Sequence, residues 1–320
     1  MTTPDPRPTV SVVCATFRRP EALARLLAAL ATSDLAEPFE VIVSDDGSGD
    51  LAQTRAMVAA SSLDIRLLEH TVNRGPAAAR NDGWRAARAD VIAFTDDDCQ
   101  PSPGWLRAGL EAMAAGDVVV VGRVSPDPAQ AGQDGPWSRS LSVQDARFMQ
   151  TANAFYRRAD LEAVGGFDVA LRHGGEDTDL GMRVLALGRR AVFAPQALVL
   201  HDVRQSTPWA MAYEMATRWT DLPLVLRKHP ALRESAAYRR WFWKRSHPAT
   251  LLALAGLALT PAAPVALVLT GPWLADRGWR HPPAAPRRER LRLLPGVFLV
   301  DAAEVVGCLR GSIRHRSLLL

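Results

Sequence analysis

Three observations predict an α/β fold built on a mostly parallel sheet. Strand-like and helix-like patterns alternate through the first 200 residues. The strand candidates run as unbroken apolar stretches, as in DVVVVGRV at 117–124, which suits a sheet covered on both faces. Three polar clusters each follow a strand candidate: SDDGSGD (44–50), NRGPAAARND (73–82) and TDDDC (95–99). In open α/β sheets that carboxyl edge is where ligands bind.

The elements follow in order. Residues 9–15 (TVSVVCA) form an apolar, β-branched strand, and 20–31 (PEALARLLAALA) form a helix with Pro20 in its first turn. A strand at 39–44 precedes a helix at 51–60, and a strand at 64–69 precedes a helix at 76–89. The strand at 90–95 ends at three consecutive acids, and a helix at 103–115 leads to the strand at 117–124. Residues 125–150, rich in Pro, Gly, Gln and Ser, read as a long loop. A strand at 151–157, a short helix at 160–164, the turn GGFD and the segment GGEDTDLGMRVLALG (174–188) follow. The last strand, 191–200, ends at His201.

The 320 residues suffice for one large domain or two smaller ones, and an apolar fraction of 48% excludes global disorder. Three scattered cysteines make neither a disulfide framework nor a CxxC metal site, so a reducing compartment fits. No signal peptide is expected in MTTPDPRPTVSVV. The formal charge is only +4, but residues 277–292 (RGWRHPPAAPRRERLR) are strongly basic. An acidic partner is expected there, and next to apolar helices anionic lipid explains it better than nucleic acid.

Three carboxylates after an apolar strand repel one another unless a cation joins them or solvent bathes them. Hard divalent cations such as Mg²⁺ or Mn²⁺ take carboxylate oxygens. Asp98 is therefore assigned to a metal, and Asp96 to the metal or to a ribose, with Asp97 turned the other way as the strand ends. Asp45 and Asp46, on a Gly-containing turn, would accept from a base N–H or ribose hydroxyls. Arg80 lies in the first turns of a helix, where the dipole does not favour a cation; a diphosphate would explain it, as would a salt bridge to an Asp. Glu176 and Asp177 suit a helix N-terminus, with Asp177 or Thr178 as cap, or they place Asp177 as a general base. His201 is either an ordinary packed residue or a third protein ligand to the metal.

Together these residues resemble the family 2 glycosyltransferases, over roughly residues 8–202. The resemblance is carried by SVVCATFRRPEALARLLAAL, FEVIVSDDGSGD, NRGPAAARNDGWRAARADVIAFTDDDCQPSPGWL, ANAFYRRADLEAVGGFD and GGEDTDLGMRVLALGRRAVFAPQALVLHD. It implies a Rossmann-like GT-A fold and inverting transfer from a UDP-, GDP- or dTDP-sugar with Mg²⁺ or Mn²⁺. It implies that Thr16, Asp45, Asp46, Arg80, Asp96 and Asp97 hold the nucleotide-sugar. Asp96, Asp98 and His201 would hold the metal, and Asp177 would be the base. Phe17 and Arg18 stand where Tyr and Asn are frequent in the family. Processive members carry Q-x-x-R-W; here MATRW (215–219) has Met215 in place of Gln, which points to single-sugar transfer. Glu176, Arg218 and Trp219 remain as acceptor or phosphate contacts.

The domains expected are a GT-A domain at 1–203 (donor half 8–100, acceptor half 101–203), a helical connector at 204–248 and a membrane-associated region at 249–320. Trp209, Tyr213 and Ala216 share one helix face, for packing or for a membrane interface. Residues 249–274 carry no charge, but Pro261 and Pro264 cut them in half and both flanks are basic. A re-entrant hairpin is the first reading and a kinked span the second. Residues 291–310, with Asp301 and Glu304 in an apolar pattern, read as an amphipathic interfacial helix. The cytoplasmic face of the plasma membrane is the expected location, with a membrane-linked or cell-envelope acceptor. The rival readings are a nucleotidyltransferase, disfavoured because CATFRRPEA lacks a glycine-rich phosphate loop, and a non-catalytic nucleotide-sugar-binding membrane protein.

Overall fold

The structure, a computed structural model, describes residues 7–133, 135–280 and 287–320. Its contacts divide the chain into two compact units. The first comprises Met1–Gln130, Ser140–Arg172 and Glu176–Asp202, and the second Ala131–Arg139, His173–Gly175 and Val203–Leu320.

In the first unit the expected alternation is present. Strand β1 (Val10–Thr16) leads to helix α1 (Pro20–Leu30), β2 (Phe39–Asp45) to α2 (Ala52–Ala60), and β3 (Asp64–Glu69) to α3 (Pro76–Ala86). Then come β4 (Val91–Asp96), β5 (Cys99–Pro101), α4 (Trp105–Met113), β6 (Val118–Pro126), β7 (Asn153–Arg157), α5 (Arg158–Val164), α6 (Glu176–Leu185) and β8 (Arg190–His201). Helix α1 buries Leu23, Leu26, Leu27 and Leu30, the i, i+3, i+4, i+7 stripe of a helix lying on a sheet.

The strands form an eight-stranded sheet among the described residues, in the order β3-β2-β1-β4-β7-β6-β8-β5. The pairs β1/β2, β1/β4, β2/β3 and β6/β8 are parallel, while β4/β7, β6/β7 and β5/β8 are antiparallel. Val10, Val12 and Val13 of β1 and Val118 through Val121 of β6 are fully buried, consistent with cover on both faces. Strand β5 was not expected: three residues carrying a proline have no strand pattern of their own. It exists because its antiparallel partner β8 supplies the ladder, with Cys99 opposite His201. Of the segment read as a loop, β6 takes the start to Pro126 and a 3₁₀ turn follows at Pro128–Gln130.

The second unit is helical: α7 (Pro208–Arg218), α8 (Leu222–Lys228), α9 (Pro230–Ala236), α10 (His247–Leu259), α11 (Gly271–Ala275) and α12 (Arg287–His315). Thr207 caps α7 through its side-chain oxygen, which accepts from the Ala210 N–H, and Pro208 occupies the first turn. The uncharged segment 249–274 breaks at its prolines as anticipated. Helix α10 ends at Leu259, a 3₁₀ helix covers Pro264–Thr270, and the two halves fold back so that Gly256 abuts the Ala266 carbonyl. Among the described residues no helix is long and apolar enough to cross a membrane.

Helix α12 corrects one expectation. Asp301 and Glu304 were read as the polar face of an interfacial helix, yet both are 3% exposed. Asp301 accepts from Trp273 Nε1 at 2.8 Å and from Arg277 Nε at 2.8 Å, and Glu304 pairs with Lys244 Nζ at 2.6 Å. Buried charge persists only when paired, and here every partner comes from residues 244–277. The outer positions Leu291 and Ile313 are apolar and more than 70% exposed. Helix α12 therefore carries Asp301 and Glu304 inward beside Val305 and Cys308, with Leu291 and Ile313 outward.

Small residues let α12 approach α7 and the turn after it. A Cβ on Gly307 would lie 2.9 Å from the Met215 carbonyl oxygen, and one on Gly311 would lie 2.3 Å from that of Thr220. Gly311→Ala is therefore expected to cost about 1–3 kcal/mol through forced backbone displacement, read as a lowered midpoint in urea. An unchanged midpoint would mean that the helices separate freely.

Candidate active site

Four polar segments meet in the first unit, and Arg80 ties its own to two of the others. Helix α3 starts after Gly75 and carries Arg80 inward, where it is 7% exposed. One terminal nitrogen donates to Asp96 Oδ1 at 2.7 Å and the other to Glu176 Oε1 at 2.9 Å. The acids at the end of β4 are thus tied to the start of α6, 80 residues later in the chain. Burial alone would lower the Arg80 pKa, but Asp96, Glu176 and Asp177 hold it above its ordinary value.

Of the two readings of Arg80, the salt bridge to an Asp is present: its cationic ends meet Asp96 and Glu176. Glu176, taken as an acceptor or phosphate contact, is buried in that same ion pair. Asp177 lies in the first turn of α6, as the helix N-terminus reading has it, and its Oδ1 accepts from the Thr178 N–H at 2.7 Å.

The acids of the turn after β2 also have internal work. Asp45 accepts from the Gly47 N–H, the Ser48 N–H and the Ser48 hydroxyl. Asp46 accepts from the Arg74 N–H through Oδ1 and the Gly75 N–H through Oδ2, both at 2.8 Å. Gly47 has φ +82°, and a Cβ there would meet the Val72 backbone at 2.5 Å, so only glycine fits this turn. These two acids hold together the loops that enter α2 and α3. Thr16, Arg18, Arg19, Asp45, Ser48 and Gln53 are among the residues lining a cavity of about 280 Å³ beside that turn.

The three consecutive acids separate by role. Asp96 takes Arg80. Asp97 is 5% exposed and accepts from the Thr16 hydroxyl at 2.8 Å and from Arg19 at 3.1 Å. Asp98 accepts from Arg19 at 3.0 Å and faces His201 Nε2 at 3.4 Å. Arg19 escaped the sequence reading; its only signal is a pair of basic residues directly after the first strand.

Among the described residues, the one group with metal-binding potential is Asp98, Cys99 and His201, whose ligand atoms all lie within 4.8 Å of one another. Cys99 thus stands where Asp96 was expected. His201 shows that this place fits a cation. Its Nδ1 lies 2.8 Å from the Asp202 carbonyl, which can only accept, so Nδ1 carries the ring proton. Nε2 faces an Asp98 oxygen at 3.4 Å, where a proton or a metal ion can join the two. Burial raises the Cys99 thiol pKa well above its ordinary value, so the thiol is a weak ligand; the Asp98 oxygen suits Mn²⁺ or Mg²⁺, while the His201 nitrogen is a ligand typical of transition metals.

Burial pushes the Asp97 pKa from 3.8 up to about 6, with Asp98 and Asp96 adding to the rise and Arg19 and Thr16 opposing it. The folded state then holds this proton more tightly than the unfolded chain does. Between pH 4 and 6 the stability contribution of Asp97 therefore falls as pH rises. Asp97→Asn removes that fall. The variant is expected to gain on the wild type by at most about 3 kcal/mol across that window, read from urea midpoints at pH 4 and pH 7. A constant difference between the two proteins would refute the assignment.

Arg218 and Trp219 belong to the second unit. Arg218 lies 3.9 Å from Glu214, and Trp219 packs at a tilt against Trp243, ring centroids 5.6 Å apart, with the Lys244 ammonium at 5.6 Å from its ring.

Known proteins resemble the chain along most of its length. The model of Glycosyl transferase family 2 matches residues 11–167, and that of Glycosyl transferase family group 2 matches residues 136–277. A pre-mycofactocin glycosyltransferase of Mycobacterium tuberculosis is 33% identical over 206 residues, 60% of this chain and 43% of that protein. A validoxylamine A glucosyltransferase of Streptomyces hygroscopicus is 29% identical over 266 residues, 70% of this chain and 62% of that protein. The chain thus spans less than two thirds of the length of these relatives. Among solved structures, the mannosyltransferase PcManGT from Pyrobaculum calidifontis, in complex with GDP-Man and Mn²⁺, shares the fold. It matches with a TM-score of 0.61 at 21% identity, over 96% of this chain and 88% of that one.

Proposed function

Because this chain belongs to glycosyl transferase family 2, we propose that it moves a single sugar from a nucleotide-diphospho-sugar to an acceptor hydroxyl, with inversion at the anomeric carbon. The observation that carries the reading is the double ion pair of Arg80, which brings the Asp96–Asp98 acids and Asp177 into one site. Asp177 takes the proton of the attacking hydroxyl. The cavity beside Thr16, Asp45 and Gln53 takes the base and ribose, with Ser48 and Arg19 at its wall. Asp98 and His201 would hold a divalent cation, which supplies positive charge to the donor diphosphate as it departs. The mannosyltransferase from Pyrobaculum was solved with a nucleotide-sugar and Mn²⁺, which supports this choice of donor and ion. Met215 in place of Gln supports single transfer over processive synthesis.

The acceptor is membrane-linked, and the enzyme works at the cytoplasmic face of the plasma membrane. Support comes from the second unit. Leu257, Leu259, Val265 and Val268 of the folded-back segment are exposed, as are Trp209, Tyr213 and Trp279. Exposed apolar and aromatic side chains suit a lipid interface.

Hydrolysis of a panel of UDP-, GDP- and dTDP-sugars tests the reading, with and without Mn²⁺, beside Asp98→Ala. Metal-stimulated release from one donor, lost in Asp98→Ala, is expected. Donor binding indifferent to both metal and Asp98→Ala would overturn the cation role. Release of pyrophosphate from a nucleoside triphosphate would favour a nucleotidyltransferase.

A further inference from the structure

We propose that Arg139, Arg204 and Arg218, gathered on Glu214 in the second unit, form a binding site for a phosphomonoester dianion. Arg139 and Arg204 exchange both backbone hydrogen bonds, Arg139 N–H to the Arg204 carbonyl at 2.9 Å and the reverse at 2.8 Å. Directly opposed residues of an antiparallel pair place their side chains on one face, and like charges there repel. Glu214, reaching in from α7, relieves part of that repulsion by accepting from Arg139 and, at 2.9 Å, from Arg204 Nη2. Arg218 follows one turn later on the same helix, 3.9 Å from the same carboxylate.

Three guanidinium groups thus share one carboxylate, which leaves two positive charges in excess; Glu304, whose charge also reaches Arg139, is paired with Lys244. The cluster is not a fully solvated surface pair: the side chains of Arg139 and Glu214 are 27% and 30% exposed. The like charges are felt, because burial and then Arg218 and Arg204 depress the Arg139 pKa to about 10. Arg204 and Arg218 remain about half exposed, so their donors can turn to a ligand. Planar guanidinium forks match phosphate oxygens bidentately, and a dianion cancels the excess. Trp209 and Tyr213, on the same helix as Glu214, are 74% and 76% exposed and offer apolar contact to a chain attached to the phosphate. The site itself stands on this geometry; only the identity of the phosphate carrier, a lipid-linked acceptor or a free sugar phosphate, rests on the transfer reading.

The test is calorimetric titration of the full chain in mild detergent with hexyl phosphate, inorganic phosphate and hexyl sulfate. Hexyl phosphate is expected to bind, with hexyl sulfate weaker because it carries one charge. Arg204→Gln and Arg218→Gln are each expected to weaken hexyl phosphate about tenfold. Glu214→Gln removes the internal anion and is expected to strengthen it, an effect that a merely structural ion pair would not produce. Hexyl phosphate binding more tightly than inorganic phosphate assigns the site to a lipid phosphate, and equal binding to a free phosphate; either supports it. No binding of any phosphate, or binding unmoved in all three folded variants, overturns it. Donor hydrolysis is measured on the same samples. Phosphate binding without donor turnover would sink the transfer reading and leave this site standing.

Discussion

Asp177→Asn is expected to lower the rate of sugar transfer by about two to four orders of magnitude while donor binding persists. The amide keeps an oxygen at the position that accepts the Thr178 N–H at 2.7 Å, so the first turn of α6 stays formed. It keeps the size of the side chain beside Arg80 as well. What it loses is the capacity to take a proton, and a reaction that must deprotonate a hydroxyl as it attacks feels that loss in the chemical step. The effect belongs in kcat and not in donor affinity. Single-turnover rates and donor titration on the same preparation separate the two. A variant with normal turnover would remove Asp177 from the chemistry and leave it as a residue of the helix start. A variant that fails to bind donor would point to a place in the donor pocket instead.

Arg80→Met is the second large effect. The guanidinium is 7% exposed and answers two carboxylates, Asp96 at 2.7 Å and Glu176 at 2.9 Å. Methionine fills similar volume but leaves Glu176, itself 8% exposed, without its cation. Removing one partner of a buried ion pair costs about 3–5 kcal/mol, or a fall in Tm of about 10 °C for a protein of this size. The double variant Arg80→Met with Glu176→Gln should recover part of that loss, because the stranded charge is gone. Donor turnover should not recover with it, since the link between Asp96 and α6 is still missing. A loss below about 1 kcal/mol in the single variant would class Arg80 with ordinary surface pairs.

Much of the first unit was legible because its strands and helices announce themselves locally. Apolar runs such as 118–121 and the leucine stripe of α1 need no partner to be recognised. Asp98 and His201 were legible as candidates because one follows and the other ends a strand, where a parallel sheet opens to ligands. Arg19 and Cys99 were not. The first gains meaning only when Asp97 and Asp98 come within 3.1 Å of it, and the second only when β8 places His201 opposite. Asp301 and Glu304 misled, because a charge in an apolar pattern implies a water-facing side unless a paired interior is known.

The sequence by itself determined the fold class, the family and the short set of carboxylates from which a site could be built. Those properties live in periodicity, turn chemistry and ordered motifs, all of which are read within a few residues. The tertiary structure decided how the set divides. Asp45 and Asp46 brace turns, Asp96 and Glu176 answer Arg80, and Asp98 meets His201. A carboxylate's role depends on which group reaches its oxygens. Those groups lie up to 103 residues away along the chain, as His201 does from Asp98, where no local pattern connects them.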